Sequence, residues 1–560
     1  MAVARGDAPA DLILARARIV NTFTGEIEEG NVAIYADRIA GVGDYREGRE
    51  VIDLEGRFLA PGLIDGHTHL ESSLLHLAEY ARAVVPRGTT ALVTDLHEIA
   101  NVKGLKGLRY MMDCARPLPL AVFFMAPPCV PATDLETAGA RITPQEVRAA
   151  LRWRGVLGLG EVMNFPGVLE GRKEVLEKVL ASRGRIVDGH APGLTGKSLN
   201  AYLAAGIGSD HECVSLEEAR EKVARGMHIM IREGSSEQNL EALLPLAQGP
   251  GWHRCFFVVD DRTAADLLRE GDMDAIVRKA IDLGLDPVRA IQMASLNAAR
   301  YFRLGEMGAI APGYAANLIV FKEWRSFTVE RVFYRGRLVA QEGRPLFSPP
   351  HLTDPEMLHS FHIKPFSIED LALPARGRLW PVIEVVPGQI ITRWRDEEAR
   401  VVDGRVVPDT ERDLLKLVVV ERHRATGNIG RGLVRGFGLK AGALASSVAH
   451  DSHNIVAVGA SDEDLFVAIK EVERLQGGVV VARQGRVRGS LALPVAGLLS
   501  QERLEMVVSR VEELERLAAG LGCRLPAPLA ALSFLALPVI PELRLTDRGL
   551  VDVVKGRLLE

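Results

Sequence analysis

Two histidines spaced two residues apart follow an apolar run near the amino end of the chain. They are His67 and His69, and the run before them contains Leu63 and Ile64. Side chains alternate along a β-strand, so residues two apart face the same side and can reach one metal ion. Histidine pairs with this spacing also occur in cores and on surfaces without any ion. The pair therefore indicates metal-assisted chemistry only if further ligands follow it.

Further ligand-type residues stand at the ends of later apolar runs. Between residues 59 and 306, eight such runs alternate with helix-like segments, as strands and helices do in a (β/α)8 barrel. Barrel enzymes carry their chemistry at the carboxyl ends of the strands. The other ionisable residues at these predicted ends are Glu161, His190, His211 and Asp260. Imidazole and carboxylate without thiolate suit zinc, manganese or iron, and six such ligands suit two bridged ions.

Each of these four residues also has an ordinary interpretation. Glu161 could cap a helix, and His190 could mark a loop. His211 could lie on a solvated face between two acidic neighbours, and Asp260 could begin a helix with a surface ion pair. Their order favours the metal site, because every candidate falls at the predicted end of a strand.

The rest of the chain predicts three further regions around this barrel. Short β-like runs in residues 1–58 and again in 307–343 indicate two parts of a small β-sandwich, into which the barrel of residues 59–306 is inserted. Residues 344–375 are rich in proline and are predicted to be a linker, and residues 376–560 a carboxyl-terminal α/β domain. The predicted fold class is therefore α/β, with a TIM-like hydrolase barrel inserted in a β-sandwich.

Composition excludes several other kinds of protein. The net charge of −5 provides no basic surface for nucleic acid or an anionic membrane. Five cysteines without a CxxC pair argue against a disulfide framework or a cysteine zinc site and favour a reducing compartment. There is no signal-like amino terminus and no apolar run of about 18 residues or more. We expect a cytoplasmic protein that binds neither nucleic acid nor membrane.

Several longer segments extend the pattern beyond the ligands. They read PGLIDGHTHLESSLL from Pro61, TDLHEIANVKG from Thr94, GLGEVMNFPGV from Gly158 and IREGSSEQNL from Ile231. A later one, from Glu421, reads ERHRATGNIGRGLVRGFGLKAGALASSVAHDSHNIVAVG. Over nearly the whole chain, these segments resemble the adenine deaminase family of the amidohydrolase superfamily. The resemblance implies deamination of adenine to hypoxanthine and ammonia, a reaction of purine salvage and adenine catabolism.

The resemblance implies a metal centre of the manganese or iron type, and from the ligand residues we predict the following cofactors and roles. The cofactors are two divalent ions, manganese or iron, with zinc as the alternative. His67 and His69 hold one ion, His190 and His211 hold the other, and Glu161 bridges them. Asp260 binds the first ion and takes the proton from the attacking hydroxide. We expect the protein to form a homo-oligomer, a dimer or larger.

Other residues are assigned to the substrate. Glu98 is the candidate to deliver a proton to a ring nitrogen, and the alternative is a loop carboxylate paired with Lys103. The residues expected to line the purine pocket are Met163, Asn164, Arg232, Ser235 and Ser236. A wall of specific donors and acceptors discriminates between purines far better than an apolar wall.

Two other functions and one loop stay open at this stage. The rival enzymes are amidohydrolases acting on a cyclic amide or an N-acetyl sugar, although cyclic amidases usually bridge their ions with a carboxylated lysine where this chain has Glu161. A non-catalytic barrel scaffold is the other alternative, and metal content would separate it from an enzyme. The segment with His450 and His453 could be a hydrogen-bonded turn or a third metal site. It could also cover the mouth of a barrel, in its own or a neighbouring chain, and shield the reaction from water.

Overall fold

The chain begins with a sheet that the barrel interrupts. The structure is a computed structural model and describes residues 1–559. After a short helix α1 (Ala2–Arg5), the first strands are β1 (Ala10–Asn21), β2 (Glu26–Tyr35), β3 (Arg38–Gly43), β4 (Gly48–Asp53) and β5 (Phe58–Pro61). Strand β1 has a bulge at Arg16, whose φ of 53° lies in the left-handed region. The bulge lets Leu14 and Ala17 both point into the core, where both are buried.

Eight parallel strands then form the barrel. They are β6 (Leu63–Thr68), β7 (Thr89–Asp95), β8 (Ala121–Ala126), β9 (Val156–Val162), β10 (Ile186–Gly189), β11 (Ser209–Asp210), β12 (His228–Arg232) and β13 (Cys255–Val258). Neighbours pair from β6 to β10 and from β11 to β13. The backbone N–H of Gly208 donates to the carbonyl of Val187 at 2.9 Å, and that of Asp260 donates to His67 at 2.9 Å. These two bonds close the ring, so the predicted (β/α)8 fold is confirmed.

Helices surround the barrel and connect its strands. They are α2 (Leu77–Val84), α3 (His97–Lys103), α4 (Leu105–Ala115), α5 (Pro144–Ala150), α6 (Phe165–Leu169), α7 (Lys173–Ala181), α8 (Gly196–Ala204), α9 (Leu216–Ala224), α10 (Leu240–Gln248), α11 (Ala264–Arg269), α12 (Met273–Asp282), α13 (Pro287–Met293) and α14 (Leu296–Tyr301). Apolar side chains such as Ile64, Val93, Met230 and Phe256 fill the interior of the barrel. The polar site therefore lies on a packed core, at the strand ends.

The chain returns to the first sheet after the barrel. The returning strands are β14 (Leu318–Phe321), β15 (Val329–Tyr334), β16 (Arg337–Gln341) and β17 (Arg344–Pro345). Strand β14 pairs antiparallel with β5, giving a nine-stranded sheet in the order β17-β16-β15-β14-β5-β1-β2-β3, with β4 beside β1. Leu14, Val32, Leu318 and Phe333 share one buried cluster, so the sheet folds over its own core as a sandwich does. The barrel is thus inserted between two adjacent strands.

The carboxyl-terminal region contains an eight-stranded sheet. In spatial order its strands are β20 (Thr392–Glu398), β19 (Leu379–Val385), β24 (Ile429–Arg435), β23 (Leu415–Val420), β26 (Ile455–Gly459), β25 (Ala443–Ser446), β27 (Gly478–Arg483) and β28 (Arg486–Ala492). All neighbours are antiparallel except β19 and β24. Its helices are α16 (Asp462–Arg474), α17 (Leu504–Gly520) and α18 (Pro528–Phe534).

Two small sheets flank this domain. One contains β18 (Leu373–Pro374), β21 (Arg400–Val402) and β22 (Arg405–Val407), and the other β29 (Leu543–Thr546), β30 (Gly549–Asp552) and β31 (Arg557–Leu558). In residues 1–559, no helix combines the length and apolar character needed to cross a membrane.

The proline-rich segment 344–375 packs against both of its neighbours. It contains the short helix α15 (Pro355–Leu358), and its Leu352 carbonyl accepts a bond from the Tyr110 hydroxyl at 2.9 Å. The fully buried Arg422 donates to Ser360 Oγ of this segment at 3.1 Å and to the Ala496 carbonyl at 3.0 Å. Arg422 also donates to the carbonyl of His453. This guanidinium therefore fixes the segment and the loop around His453 relative to each other.

Candidate active site

The histidine pair lies at the end of β6, and both side chains are buried. The Nδ1 atom of His69 lies 2.8 Å from the backbone oxygen of Asp95. A carbonyl only accepts, so Nδ1 carries the proton and the lone pair of a neutral ring is on Nε2. That Nε2 faces Glu161 Oε1 at 3.1 Å and Asp260 Oδ1 at 3.3 Å. The ring is held in the tautomer that a metal ligand needs.

Glu161 lies between two groups of histidines, the first formed by His67 and His69 and the second by His190 and His211. Its Oε1 faces His69, and its Oε2 lies 2.8 Å from His190 Nδ1 and 3.3 Å from His211 Nε2. Burial alone would raise the pKa of Glu161, but hydrogen bonds from His190, His211 and His69 hold it well below its usual value. Glu161 is therefore an ionised carboxylate with one oxygen toward each group.

Asp260 follows β13 in an uncommon backbone conformation. Its φ is 63°, in the left-handed region, and the His69 N–H donates to its carbonyl at 2.9 Å. Its Oδ1 is 3.3 Å from Nε2 of both His67 and His69, and its Oδ2 accepts from Arg232 at 3.0 Å. Burial would raise the pKa of Asp260, but the charge of His211 and then that of Arg232 hold it well below its usual value.

These side chains fit divalent cations. Candidate ligand atoms lie within 4.8 Å of one another in several overlapping groups, among them His67 with His69 and Glu161, His67 with His211 and Asp260, and Glu161 with His190 and His211. Among residues 1–559, the buried His67 Nε2 has no hydrogen-bond partner. Leaving such an atom unpaired costs about 1–3 kcal/mol. Nitrogen and oxygen donors without thiolate, in overlapping groups, suit two adjoining cations.

Sequence reasoning missed Glu212 as part of this cluster. Both of its oxygens accept from Arg232, at 2.6 and 3.0 Å, and Oε1 lies 3.3 Å from His211 Nε2. Burial would raise the pKa of Glu212, but the charge of His190 and the bond with His211 lower it to about 2. The only signal in the sequence was its position next to His211.

Asp95 and His97 were also missed, although both lie at the end of β7. Asp95 Oδ2 accepts from the backbone N–H of Glu161 at 2.8 Å, which orients that strand end. His97 lies between two carboxylates, with Nδ1 3.5 Å from Glu161 Oε1 and Nε2 3.5 Å from Glu98 Oε1. Burial alone would lower the pKa of His97, but the charge of Glu98 raises it, to about 10. The signal available was their place at a predicted strand end.

A buried lysine joins the loops of the second histidine group. Lys222 is fully buried, and its Nζ donates to Asp210 Oδ2 at 2.9 Å, to the Ala191 carbonyl at 2.8 Å and to Glu218 at 2.6 Å. Asp210 Oδ1 accepts from the Ala191 N–H at 2.8 Å. Since Ala191 follows His190 and Asp210 precedes His211, this network sets the separation of the two histidines.

The residues expected in the purine pocket have varied surroundings. Arg232 is paired with Glu212 and Asp260, so its guanidinium belongs to the ligand cluster. Ser235 donates to Asp266 and accepts from Thr263 N at 2.9 Å. Ser236 is exposed and Met163 is half-buried, while Asn164 Oδ1 caps α6 by accepting from Gly167 N at 2.9 Å. Of these side chains, only that of Arg232 is hydrogen-bonded to the side chain of a predicted ligand, while Met163 meets Glu161 through its backbone N–H, which donates to the Glu161 carbonyl at 3.0 Å.

Glu98 is buried in the first turn of α3 and meets the carboxyl-terminal domain. Its Oε1 bonds to His450 Nδ1 and its Oε2 to His453 Nε2. The alternative pairing with Lys103 is wrong, because Lys103 donates to the carbonyl of His359 at 3.1 Å. The loop with the two histidines thus covers the barrel mouth of its own chain. Both imidazoles are bonded to this one carboxylate, as a hydrogen-bonded turn would be.

Comparison with known proteins supplies the family. Residues 58–339 match the Amidohydrolase family, and residues 389–557 match the Adenine deaminase C-terminal domain. An adenine deaminase of Dehalococcoides mccartyi is 60% identical over 557 residues, covering 100% of this chain and 98% of that protein. Adenine deaminase 2 of Carboxydothermus hydrogenoformans is 49% identical over 98% of this chain and 97% of that protein. An adenine deaminase of Methanothrix thermoacetophila is 47% identical over 99% and 97%. The chain belongs to the adenine deaminase family of amidohydrolases.

Proposed function

We propose that this chain catalyses the hydrolytic deamination of adenine to hypoxanthine and ammonia. The observation that carries the proposal is the 60% identity to an adenine deaminase over the full length of this chain. The buried histidines and carboxylates at the barrel mouth supply chemistry that suits the reaction, because hydrolysis needs an activated water and groups that move protons. The substrate is the small molecule adenine, and the enzyme is a hydrolase of carbon–nitrogen bonds.

The family implies a divalent metal site, and the barrel mouth has residues that would hold it. In our proposal His67, His69 and Asp260 would hold one ion, His190 and His211 would hold the other, and Glu161 would be a ligand for both. Bound ions would acidify water at neutral pH and polarise the bond under attack. We propose manganese or iron as the native metal, with zinc as the alternative, since imidazole and carboxylate suit all three.

The chain's own groups divide the proton transfers. Asp260 takes a proton from the attacking water, because the charges of His211 and Arg232 keep its carboxylate ionised. Glu98 belongs to the machinery that protonates the ring, supported by its burial at the mouth and its two histidine partners. Met163, Asn164, Ser235 and Ser236 remain proposed purine contacts, and Arg232 is proposed to act through Asp260 and Glu212.

The domain limits and the assembly are also proposals. We keep residues 1–58 and 307–343 as the two parts of the β-sandwich, 59–306 as the barrel, 344–375 as the linker and 376–560 as the last domain. The pairing of β5 with β14 supports the insertion of the barrel. We propose a homo-oligomer, a dimer or larger, which sedimentation would test.

One assay tests the activity. The purified protein, reconstituted in turn with manganese, iron and zinc, is incubated with adenine, other purines, a cyclic amide and an N-acetyl sugar. We expect ammonia from adenine in a metal-dependent reaction. Hydrolysis of the cyclic amide or the sugar without action on adenine would refute the proposal, and so would an inert protein that binds no metal.

A further inference from the structure

We infer that His450 of the carboxyl-terminal domain carries the proton to adenine N1, and that Glu98 and His453 position its ring. The inference rests on the proposed function and assigns a step of the reaction to a domain outside the barrel. It is drawn from the hydrogen bonds at the seam between the two domains.

Glu98 is held as an anion that has no proton of its own to give. His453 Nδ1 accepts from the backbone N–H of Ala449 at 3.2 Å, so the proton of its ring is on Nε2, which donates to Glu98 Oε2. Burial would raise the pKa of Glu98, but the charge of His450, with that of His97 adding to it, holds it well below its usual value. With both oxygens accepting, Glu98 orients its neighbours rather than protonating the ring.

His450 has one nitrogen anchored and one free. Its Nδ1 donates to Glu98 Oε1, and its ring stacks on Phe534 at 4.7 Å between centroids with 15° between planes. In the part of the chain that the structure describes, Nε2 makes no hydrogen bond. The side chain is 13% exposed, whereas that of His453 is 1% exposed. A carboxylate that fixes one nitrogen while the other is without a hydrogen-bond partner is the arrangement of an imidazole that transfers protons.

The surroundings keep His450 charged near neutral pH. Burial alone would lower the pKa of His450, but the negative charge of Glu98 and the bond with it raise it to about 9, with Asp261 and Asp451 adding to the effect. His453 faces it at 5.8 Å between ring centroids. The pKa of His453 is lowered to about 4, mainly by burial, so that ring is neutral. His450 is thus the proton-bearing member of the pair.

With His450 as the general acid, every proton and electron pair of the reaction is accounted for. As the water oxygen bonds to C6, Asp260 takes one water proton, and the C6–N1 π electrons form a bond from N1 to the proton on His450 Nε2. The C6–N6 bond then breaks, and its electrons leave with N6, which takes the proton from Asp260 and departs as ammonia. The hydroxyl proton on C6 returns to His450 as the C6 carbonyl forms. Adenine and water give hypoxanthine and ammonia, and both side chains return to their starting states.

Two variants of His450 test the assignment. His450→Ala and His450→Gln should each lower kcat/KM for adenine by roughly 100- to 10,000-fold while metal per chain is unchanged. Added imidazole should restore part of the lost kcat in His450→Ala, because it brings the same proton to the vacated space. His253→Ala is the matched control, since His253 is exposed and lies on the barrel surface, bonded to the Pro250 carbonyl. We expect this control to match the unaltered protein.

A pH profile tests the role of Glu98. The acid form of His450 is required, so kcat/KM should fall as pH rises through about 9. In Glu98→Gln that alkaline limb should move to lower pH, because the carboxylate that stabilises the imidazolium is gone. An unmoved limb would overturn the inference, as would near-normal kcat/KM in both His450 variants, metal loss in both, or a loss of activity that imidazole does not restore. Ammonia release by the unaltered protein tests the proposed function separately.

Discussion

Replacing the buried Lys222 with methionine should loosen the second histidine group. The methionine fills much of the same space but removes three hydrogen bonds and the cation beside Asp210. Asp210 is fully buried, and its pKa, which burial would raise, is held below its usual value by the charge of Lys222. Removing one partner of a buried pair costs about 3–5 kcal/mol, because the other charge remains in the interior.

Replacing Lys222 should weaken metal binding as well as lower the stability of the fold. With the network gone, the loops of His190 and His211 are no longer held at a fixed separation. Removal of such supporting contacts typically lowers metal affinity by roughly 10- to 100-fold. Denaturant unfolding and titration of metal-free protein with manganese would measure the two effects. We expect the free energy of unfolding and the manganese affinity of one of the two metal sites to fall together.

Two further variants make this test decisive. Lys173→Met is the matched control, since the Lys173 side chain is 89% exposed and lies 3.9 Å from Glu177, a pair worth at most about 1 kcal/mol. Lys222→Met combined with Asp210→Asn removes the unpaired charge of Asp210, although that of Glu218 remains, and should recover part of the stability but not the metal affinity. Normal stability and metal binding in Lys222→Met would refute the reasoning.

Three other outcomes are expected. Asp260→Asn should lower kcat by several orders of magnitude while metal analysis still finds at least one ion per chain, and near-normal turnover would exclude Asp260 as the base. Chelation should abolish activity reversibly, and Glu161→Gln should lose metal as well as rate by elemental analysis and assay; full activity without metal would contradict the hydrolytic proposal. Burial and then the charge of Arg254 lower the pKa of His228 to about 4 in the fold, so the unfolded chain binds more protons between pH 6.5 and 4. The stability that depends on this group is therefore present above pH 6.5 and is lost as pH falls to 4. The free energy of unfolding should change there by at most about 1.4 kcal/mol per pH unit. In His228→Gln this dependence should be weaker, which denaturant unfolding at a series of pH values would measure.

The sequence predicts the barrel and the candidate ligands because both depend on local pattern. His67, Glu161 and Asp260 each follow an apolar run, and parallel strands bring their carboxyl ends to one face of a barrel. The structure places these side chains close together for the same reason. Their roles remain predictions until a variant is measured.

Contacts between distant parts of the chain could not be predicted from the sequence. Glu98 meets His450 across 352 residues, and no periodicity relates two positions on different domains. Arg232 was expected to face the purine, but its partners Glu212 and Asp260 come from two other strand ends. Which carboxylate a guanidinium chooses depends on the three-dimensional arrangement of loops, which pattern and propensity do not specify.

The pairing of β5 with β14 has a consequence for biosynthesis. About 250 residues separate the two strands, so at roughly 5–20 residues per second the ribosome needs tens of seconds to supply the second strand after the first. During that interval β5, whose four residues are buried in the finished sheet, has an unpaired edge that can bind another nascent chain. The barrel can fold meanwhile, and its completion brings its two ends together and delivers β14 to the waiting edge. Slow or failed folding of the barrel should therefore lead to aggregation through the amino-terminal strands, even when the substitution that slows folding lies in the barrel.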